Sequence, residues 1–87
     1  MGLNKKDLAL IDATHSYSYT VTIKMNAQGA WVSEVLLLEK IYPITTTRGD
    51  IKTWRSLPDA LLFAQESCEK CKDIFVEFNG WIFARRK

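Results

Sequence analysis

The sequence predicts an α+β domain: an antiparallel sheet of four to five strands, a main helix packed on one face, and a short N-terminal helix. Three observations predict this class. They are two capped helical segments, one strand with clean polar and apolar alternation, and an Asn-Gly turn between two apolar runs near the C-terminus. With 87 residues, 47% hydrophobic and 25% charged, the chain has the size and composition of a single globular domain, residues 1–87.

The first predicted element is the short helix near the N-terminus. Asn4 is suited to cap it, and Asp7 at the third helical position completes the reciprocal pattern of a capping box. Leu8 and Ile11 then fall on one side of the helix at helical spacing.

Residues 16–25 form the clearest strand of the sequence, because their side chains alternate between an apolar row and a polar row. The apolar row is Tyr17, Tyr19, Val21, Ile23 and Met25, and the polar row is Ser16, Ser18, Thr20, Thr22 and Lys24. Since successive side chains of a strand point to opposite faces, we expect the apolar row to face the core and the polar row to face solvent.

Two further strands are expected to complete a meander. Residues 26–29 form a turn, with Gly29 suited to a positive φ, and lead into an apolar run over residues 30–42. Pro43 lacks the N–H that a central strand donates, so this run should end there. Residues 51–54 are predicted to form a third, short strand.

The main helix is predicted to start after Ser56, which caps it, with Pro58 in its first turn and Asp59 at the third position. Apolar side chains recur at helical spacing as far as Cys71, where we expect the helix to end. One face of this helix should pack on the sheet.

A hairpin is predicted at the C-terminus. Asn79 and Gly80 tolerate the positive φ of a type I′ turn, and they connect residues 74–78 to residues 81–84. A two-residue loop places one set of side chains on a single face, and we expect this set to join the core. The set is Val76, Phe78, Trp81 and Phe83.

Cys68 and Cys71 have the C-x-x-C spacing of redox and metal motifs. Such a pair favours redox chemistry when it opens a helix, whereas here it closes one, and the helix dipole at that end disfavours a thiolate. As a zinc site the pair supplies two of the usual four ligands, and His15, the one histidine, must supply a third. We interpret both cysteines as packing residues, with a metal site or a redox pair as alternatives, and predict no cofactor.

The sequence contains no recognisable arrangement of catalytic residues. A mechanism with a histidine base must use His15, and the adjoining Ser16 points to the opposite face if both lie on a strand. The glycines are scattered and form no phosphate-binding loop; they are Gly2, Gly29, Gly49 and Gly80. We therefore predict that the protein is not an enzyme.

The charge pattern limits the classes of partner. The formal net charge is +2, and three positive charges lie in the C-terminal Arg85-Arg86-Lys87 tail, so the broad basic face of a nucleic-acid-binding domain is not indicated. The apolar run of residues 35–38 is far shorter than the ~20 residues of a transmembrane helix. Asp7 and Asp12 interrupt the N-terminal stretch where a secretory signal is apolar. We expect a cytoplasmic protein with no membrane partner.

Three segments together resemble the HicB-like antitoxin domain: residues 19–23, the Gly-Ala-Trp-Val-Ser-Glu-Val run of residues 29–35, and the Ser-Leu-Pro-Asp-Ala-Leu run of residues 56–61. That family has a strand, a second strand with a Gly-aromatic-Val pattern, and a helix opened by Ser or Thr. The C-terminal hairpin also resembles other short, uncharacterised bacterial ββαβ domains. The resemblance implies binding rather than catalysis, with a protein partner held by the sheet or its edge.

Two functions follow from these observations. The first is a protein-interaction domain of antitoxin, phage or mobile-element type that binds a protein partner or a second copy of itself through the polar row, namely Ser16, Ser18, Thr20, Thr22 and Lys24. For those residues a plain solvated sheet face is the simpler interpretation. The alternative is a single-stranded nucleic-acid-binding domain that uses exposed aromatic residues and the basic tail. Its candidate residues are Trp54, Arg55, Arg85, Arg86 and Lys87, with Trp31 and Phe75 as further exposed aromatics.

Overall fold

The computed structural model describes residues 2–84, and the tail residues Arg85, Arg86 and Lys87 lie outside the described residues. Within the described residues the chain forms two helices and one five-stranded sheet, which confirms the α+β class. The helices are α1 (Lys5–Thr14) and α2 (Leu57–Ser67). The strands are β1 (Tyr19–Met25), β2 (Trp31–Leu37), β3 (Lys40–Pro43), β4 (Asp73–Phe78) and β5 (Trp81–Ala84).

The sheet has the strand order β3-β2-β1-β4-β5. Strand β1 is central and pairs antiparallel with β2 but parallel with β4, so the prediction of a purely antiparallel sheet is wrong. The reason is the connection through α2, which returns the chain across the sheet so that β4 runs in the direction of β1. The meander β1-β2-β3 and the hairpin β4-β5 are antiparallel, as predicted.

The third strand lies earlier in the chain than predicted. Leu38 and Glu39 both have positive φ, 51° and 66°, and form a tight turn that divides the apolar run into β2 and β3. Leu and Glu favour this conformation much less than Asn or Gly do, so the sequence does not signal the turn. Ile51 and Trp54, which were expected to lie in a strand, form isolated bridges only.

Both helices start at the predicted caps. The side chain of Asn4 accepts a hydrogen bond from the backbone N–H of Asp7 at 3.0 Å, and the Asp7 carboxylate accepts one from the Asn4 N–H at 3.0 Å, which confirms the capping box. The Ser56 hydroxyl accepts from the Asp59 N–H at 3.3 Å. Helix α2 ends at Ser67, with Cys68 as its C-cap, which is earlier than the predicted end at Cys71. Neither helix of the described chain has the length and apolarity that crossing a membrane demands.

The core lies between the helices and one face of the sheet, here called the helix face. On β1 this face presents Tyr19, Val21 and Ile23, all buried, whereas Thr20, Thr22 and Lys24 of the polar row point to the opposite, open face. Tyr17 and Met25, which were also expected to face the core, are exposed. Tyr17 has a φ of 60° in the turn before β1, so the strand starts after it. The other large contributions come from Leu8, Ile11, Val35, Leu37, Ile44, Ala60, Ala64 and Ile74.

Candidate functional site

The C-terminal hairpin has the geometry that its sequence predicts. Asn79 and Gly80 have φ values of 49° and 82°, as a type I′ turn requires. Phe78 pairs with Trp81 and Val76 with Phe83, so these four side chains share the helix face. The opposite pair, Glu77 and Ile82, lies on the open face.

Three of the four hairpin side chains that were expected to join the core are exposed, so that prediction is wrong for Phe78, Trp81 and Phe83. Trp31, Phe78 and Trp81 lie at the same end of the helix face, and their exposed fractions rise from 9% through 40% to 69% toward β5. Phe83 is also more than half exposed. Helix α2 packs over β1 and β2, and its cover does not extend across β5. The exposed rings therefore form an apolar surface at one side of the domain.

An apolar groove of about 540 Å³ separates α2 from the hairpin. Gln65 is the one polar residue among those that line it in the described chain, and no charged side chain lines it. The principal lining side chains are Leu61 and Leu62 from α2, with Ile74 and Val76 from β4 and Phe83 from β5. Phe83 and Ala84 of β5 line the groove, so side chains of a strand added beside β5 on the helix face would lie next to it.

The two edges of the sheet differ in chemistry. Edge strand β3 contains Lys40 and Pro43, both of which oppose the addition of another strand, and the chain beyond it bridges from Ile44 to Leu3. Edge strand β5 is Trp-Ile-Phe-Ala, with neither a charged residue nor a proline, and all four residues are exposed. The β5 edge therefore lacks the charged side chain and the proline that protect the β3 edge from pairing.

The five residues of the predicted binding row do not all lie on one strand. Thr20, Thr22 and Lys24 lie half-buried on the open face of β1, and Lys24 pairs with Glu34 at 3.1 Å. Ser16 and Ser18 precede the strand, and the Ser16 hydroxyl donates to the Asp12 carbonyl at 2.7 Å. Because β2 and β4 occupy both sides of β1, this row offers a face for contact but no free edge for strand addition.

The aromatic residues expected to contact nucleic acid are partly engaged within the domain. The Trp54 ring packs on Phe63 at 5.1 Å between centroids, and the Lys52 ammonium lies 5.7 Å from the centre of the Trp54 ring. Trp31 is buried, so its expected exposure is wrong. Arg55 is exposed, and Phe75 is half-buried on the open face. The tail residues of this hypothesis lie outside the described residues.

The two cysteines are buried near the C-terminal end of α2. Burial raises the pKa of Cys68 to about 12, opposed by the nearby Tyr19 hydroxyl, which lowers it. A thiol of this kind is almost fully protonated at neutral pH and is a poor nucleophile. Within residues 2–84 no three His, Cys, Asp or Glu side chains come together as a metal site.

Asp12 has a role that the sequence does not reveal. One oxygen of its carboxylate, Oδ1, accepts hydrogen bonds from the Tyr19 hydroxyl at 2.6 Å and from the Lys70 N–H at 2.8 Å. The contact joins the end of α1 to the central strand and to the connection between α2 and β4. Lys70 is 58 residues from Asp12, so local spacing carries no signal for this contact.

Comparisons with protein-family models, curated proteins and solved structures give no match to this chain. The candidate site is therefore defined by its own geometry: the exposed β5 edge, the rings beside it and the groove against α2.

Proposed function

We propose that this chain is a non-catalytic protein-binding domain that pairs its β5 edge with an extended, apolar strand of a protein partner. The observation that supports this proposal is the chemistry of β5, an exposed edge strand made entirely of apolar residues. Exposed strands of this kind are templates for pairing with another chain. In strand addition, main-chain hydrogen bonds supply affinity and pockets for alternate side chains supply specificity.

The groove supplies such a pocket. A strand added beside β5 directs every second side chain to the helix face, where Phe83 and Leu62 border the groove. Since no charged side chain lines the groove within the described residues, the partner side chains that fit it are apolar. The resemblance to HicB-like antitoxin domains favours the same class of activity, a protein partner at the sheet edge, in an antitoxin or phage setting.

A photo-crosslinking experiment on the two sheet edges tests this proposal. Ile82 on β5 and Ile41 on β3 are 68% and 65% exposed and both lie on edge strands, so each can be replaced by p-benzoylphenylalanine without disturbing the core. On irradiation in the cells that make the protein, we expect a cross-linked polypeptide from position 82 and none from position 41. Mass spectrometry then identifies the captured chain.

Two results contradict the proposal. One is the absence of any polypeptide adduct at position 82, and the other is equal labelling at the two positions, which indicates random collision. A nucleic-acid adduct at position 82 in place of a polypeptide favours the alternative function.

A further inference from the structure

We infer that the strand that pairs with β5 is β5 of a second copy of this chain, so that the protein forms a twofold-symmetric dimer with a continuous ten-stranded sheet. This inference rests on the proposed function, and it specifies the partner. It follows from the symmetry of antiparallel pairing, the hydrogen-bonding groups of β5 and the area of the exposed surface.

Symmetry restricts how two β5 strands pair. The twofold axis of an antiparallel strand pair is perpendicular to the sheet, so the helix faces of both copies lie on the same side. Directly opposed residues also point to the same face, so Ile82 can oppose Ile82 of the second copy but cannot oppose Phe83. With Ile82 at the axis, Trp81 of each copy lies opposite Phe83 of the other.

Backbone geometry agrees with this register. In a hairpin closed by a two-residue turn, the flanking residues Phe78 and Trp81 exchange hydrogen bonds, and bonding alternates along the ladder. The N–H and C=O groups of Trp81 and Phe83 therefore face β4, and those of Ile82 and Ala84 face outward. Two opposed Ile82 residues then exchange both of their hydrogen bonds across the axis.

The side chains that meet in this register are matched in chemistry. Trp81 of one copy and Phe83 of the other stack on the helix face at the mouth of each groove, which brings four rings together across the axis. The two Ile82 side chains meet on the open face. Neither β5 nor the groove lining contains a charged residue in the described chain, so the surface that complements β5 best is another uncharged strand of the same kind.

The exposed area is sufficient for a dimer. From their exposed fractions, and with about 150–250 Å² for each aromatic ring, the rings of Phe78, Trp81 and Phe83 together with Ile82 and Leu62 expose roughly 500 Å² in one copy. Complete burial of this surface in two copies accounts for about 1,000 Å², which reaches the minimum of a specific interface before the strand backbones are counted.

A charge-exchange experiment tests the pairing of Ile82 with itself. We expect the wild-type full chain to sediment as a dimer, and both Ile82→Glu and Ile82→Lys to sediment as monomers, since each variant opposes like charges at the axis. The dissociation constant should rise by about a hundredfold or more in each single variant. An equimolar mixture of the two variants should recover a heterodimer. The same substitutions at Ile41, on the β3 edge, should leave the wild-type dimer intact.

A cysteine variant tests the register. In a hydrogen-bonded pair the opposed Cα atoms are about 5.5 Å apart, within the range that a disulfide spans. Ile82→Cys should therefore oxidise to a covalent dimer, whereas in Ala84→Cys the introduced sulfurs lie on residues roughly 13 Å apart along the strands and should not join. The native thiols are buried and do not interfere.

A wild-type chain that is monomeric at all concentrations overturns the dimer, as does a dimer that survives both Ile82 variants. Failure of the dimer and failure of the proposed function are distinguishable. If the photo-crosslinker at position 82 captures a different protein while the chain alone is monomeric, the proposed function stands and the dimer does not. If position 82 captures no protein at all, both fail.

Discussion

The helix face of the sheet has two halves whose side chains are similar in hydrophobicity but differ in burial. On β1 and β2, residues such as Val21, Ile23 and Val35 are completely buried, whereas on β5 Trp81 and Phe83 are mostly exposed. All of these residues are strongly apolar and all point to the same side of one continuous sheet. The difference therefore arises from the position of the helices and not from the hydrophobicity of the strands.

The dimensions of the elements explain the boundary between the halves. A helix with its side chains is about 10 Å wide, and adjacent strands lie about 4.8 Å apart, so two helices cover about four strands. This domain has two helices and five strands within its described residues. Strand β5 follows β4 at the side away from β2, where α2 no longer reaches. The half under the helices is buried and supplies stability, and the half at β5 leaves large apolar side chains exposed.

The largest expected effect comes from the same substitution made in each half. Ile23→Ala removes a side chain with 0% exposure and leaves a cavity, so we expect the free energy of unfolding to fall by about 3 kcal/mol. Ile82→Ala removes a side chain of the same type from the uncovered half, and we expect a change within about 0.5 kcal/mol. Urea denaturation at protein concentrations that keep the chain monomeric measures both values.

The two variants also test whether the covered and uncovered halves differ in packing. Equal losses for Ile23→Ala and Ile82→Ala in the monomer mean that β5 is packed within its own chain and that the two halves do not differ. A loss for Ile82→Ala that appears only at high protein concentration instead supports the dimer, because it measures association.

Alkaline pH should weaken the covered half, because the thiol of Cys68 and the hydroxyl of Tyr19 are both buried there. Burial raises the pKa of Cys68 from 9.0 to about 12, so above pH 9 the unfolded chain releases a proton that the folded chain retains. Burial also raises the pKa of Tyr19 above its ordinary value of 10.0, helped by its bond to Asp12, and this adds to the effect above pH 10. These two groups therefore stabilise the fold fully below about pH 9, and their contribution is lost as the pH rises above it.

We expect a loss of about 2 kcal/mol in the free energy of unfolding between pH 9 and about pH 10.5 from the thiol of Cys68. The measurement is a series of urea denaturation curves for the wild type and for Cys68→Ala, which lacks this thiol and should show a shallower decline. Parallel declines in the two proteins mean that the thiol ionises equally well in the folded and unfolded chains. The β5 surface has no titratable side chain, so Ile82→Ala should follow the wild-type decline.

Local features of this fold were predictable from sequence because each depends on residues a few positions apart. The Asn4 and Asp7 capping box, the Asn79-Gly80 turn and the alternation over Tyr19–Met25 are of this kind. Periodicity also assigned Trp81 and Phe83 to the correct face of the hairpin. It did not indicate whether a helix covers that face, because the period of a strand is the same in either case.

Features that depend on contacts between distant parts of the chain are not predictable from local sequence patterns. The parallel pairing of β1 with β4 joins segments about fifty residues apart, and the bond from Lys70 to Asp12 spans a separation of 58 residues. The Leu38-Glu39 turn was missed for another reason, since neither residue favours the positive φ that it adopts there. The exposure of Phe78, Trp81 and Phe83 is also not predictable from local pattern. Apolar side chains on a strand lie in the core only where a helix covers that face of the sheet.

The smallest expected effect comes from removing a polar group from the covered half. Ser33 lies opposite Ile23 on the helix face, and its buried hydroxyl has no hydrogen-bond partner among the described residues. Burial of an unpaired hydroxyl is unfavourable, so Ser33→Ala should raise the free energy of unfolding by about 1 kcal/mol. The matched control is Ser16→Ala, which removes a hydroxyl that donates to Asp12 at 2.7 Å and should lower stability slightly. If both serine variants lose stability to the same degree in thermal and urea denaturation, the Ser33 hydroxyl is bonded after all, and the covered half is more polar than its side chains indicate.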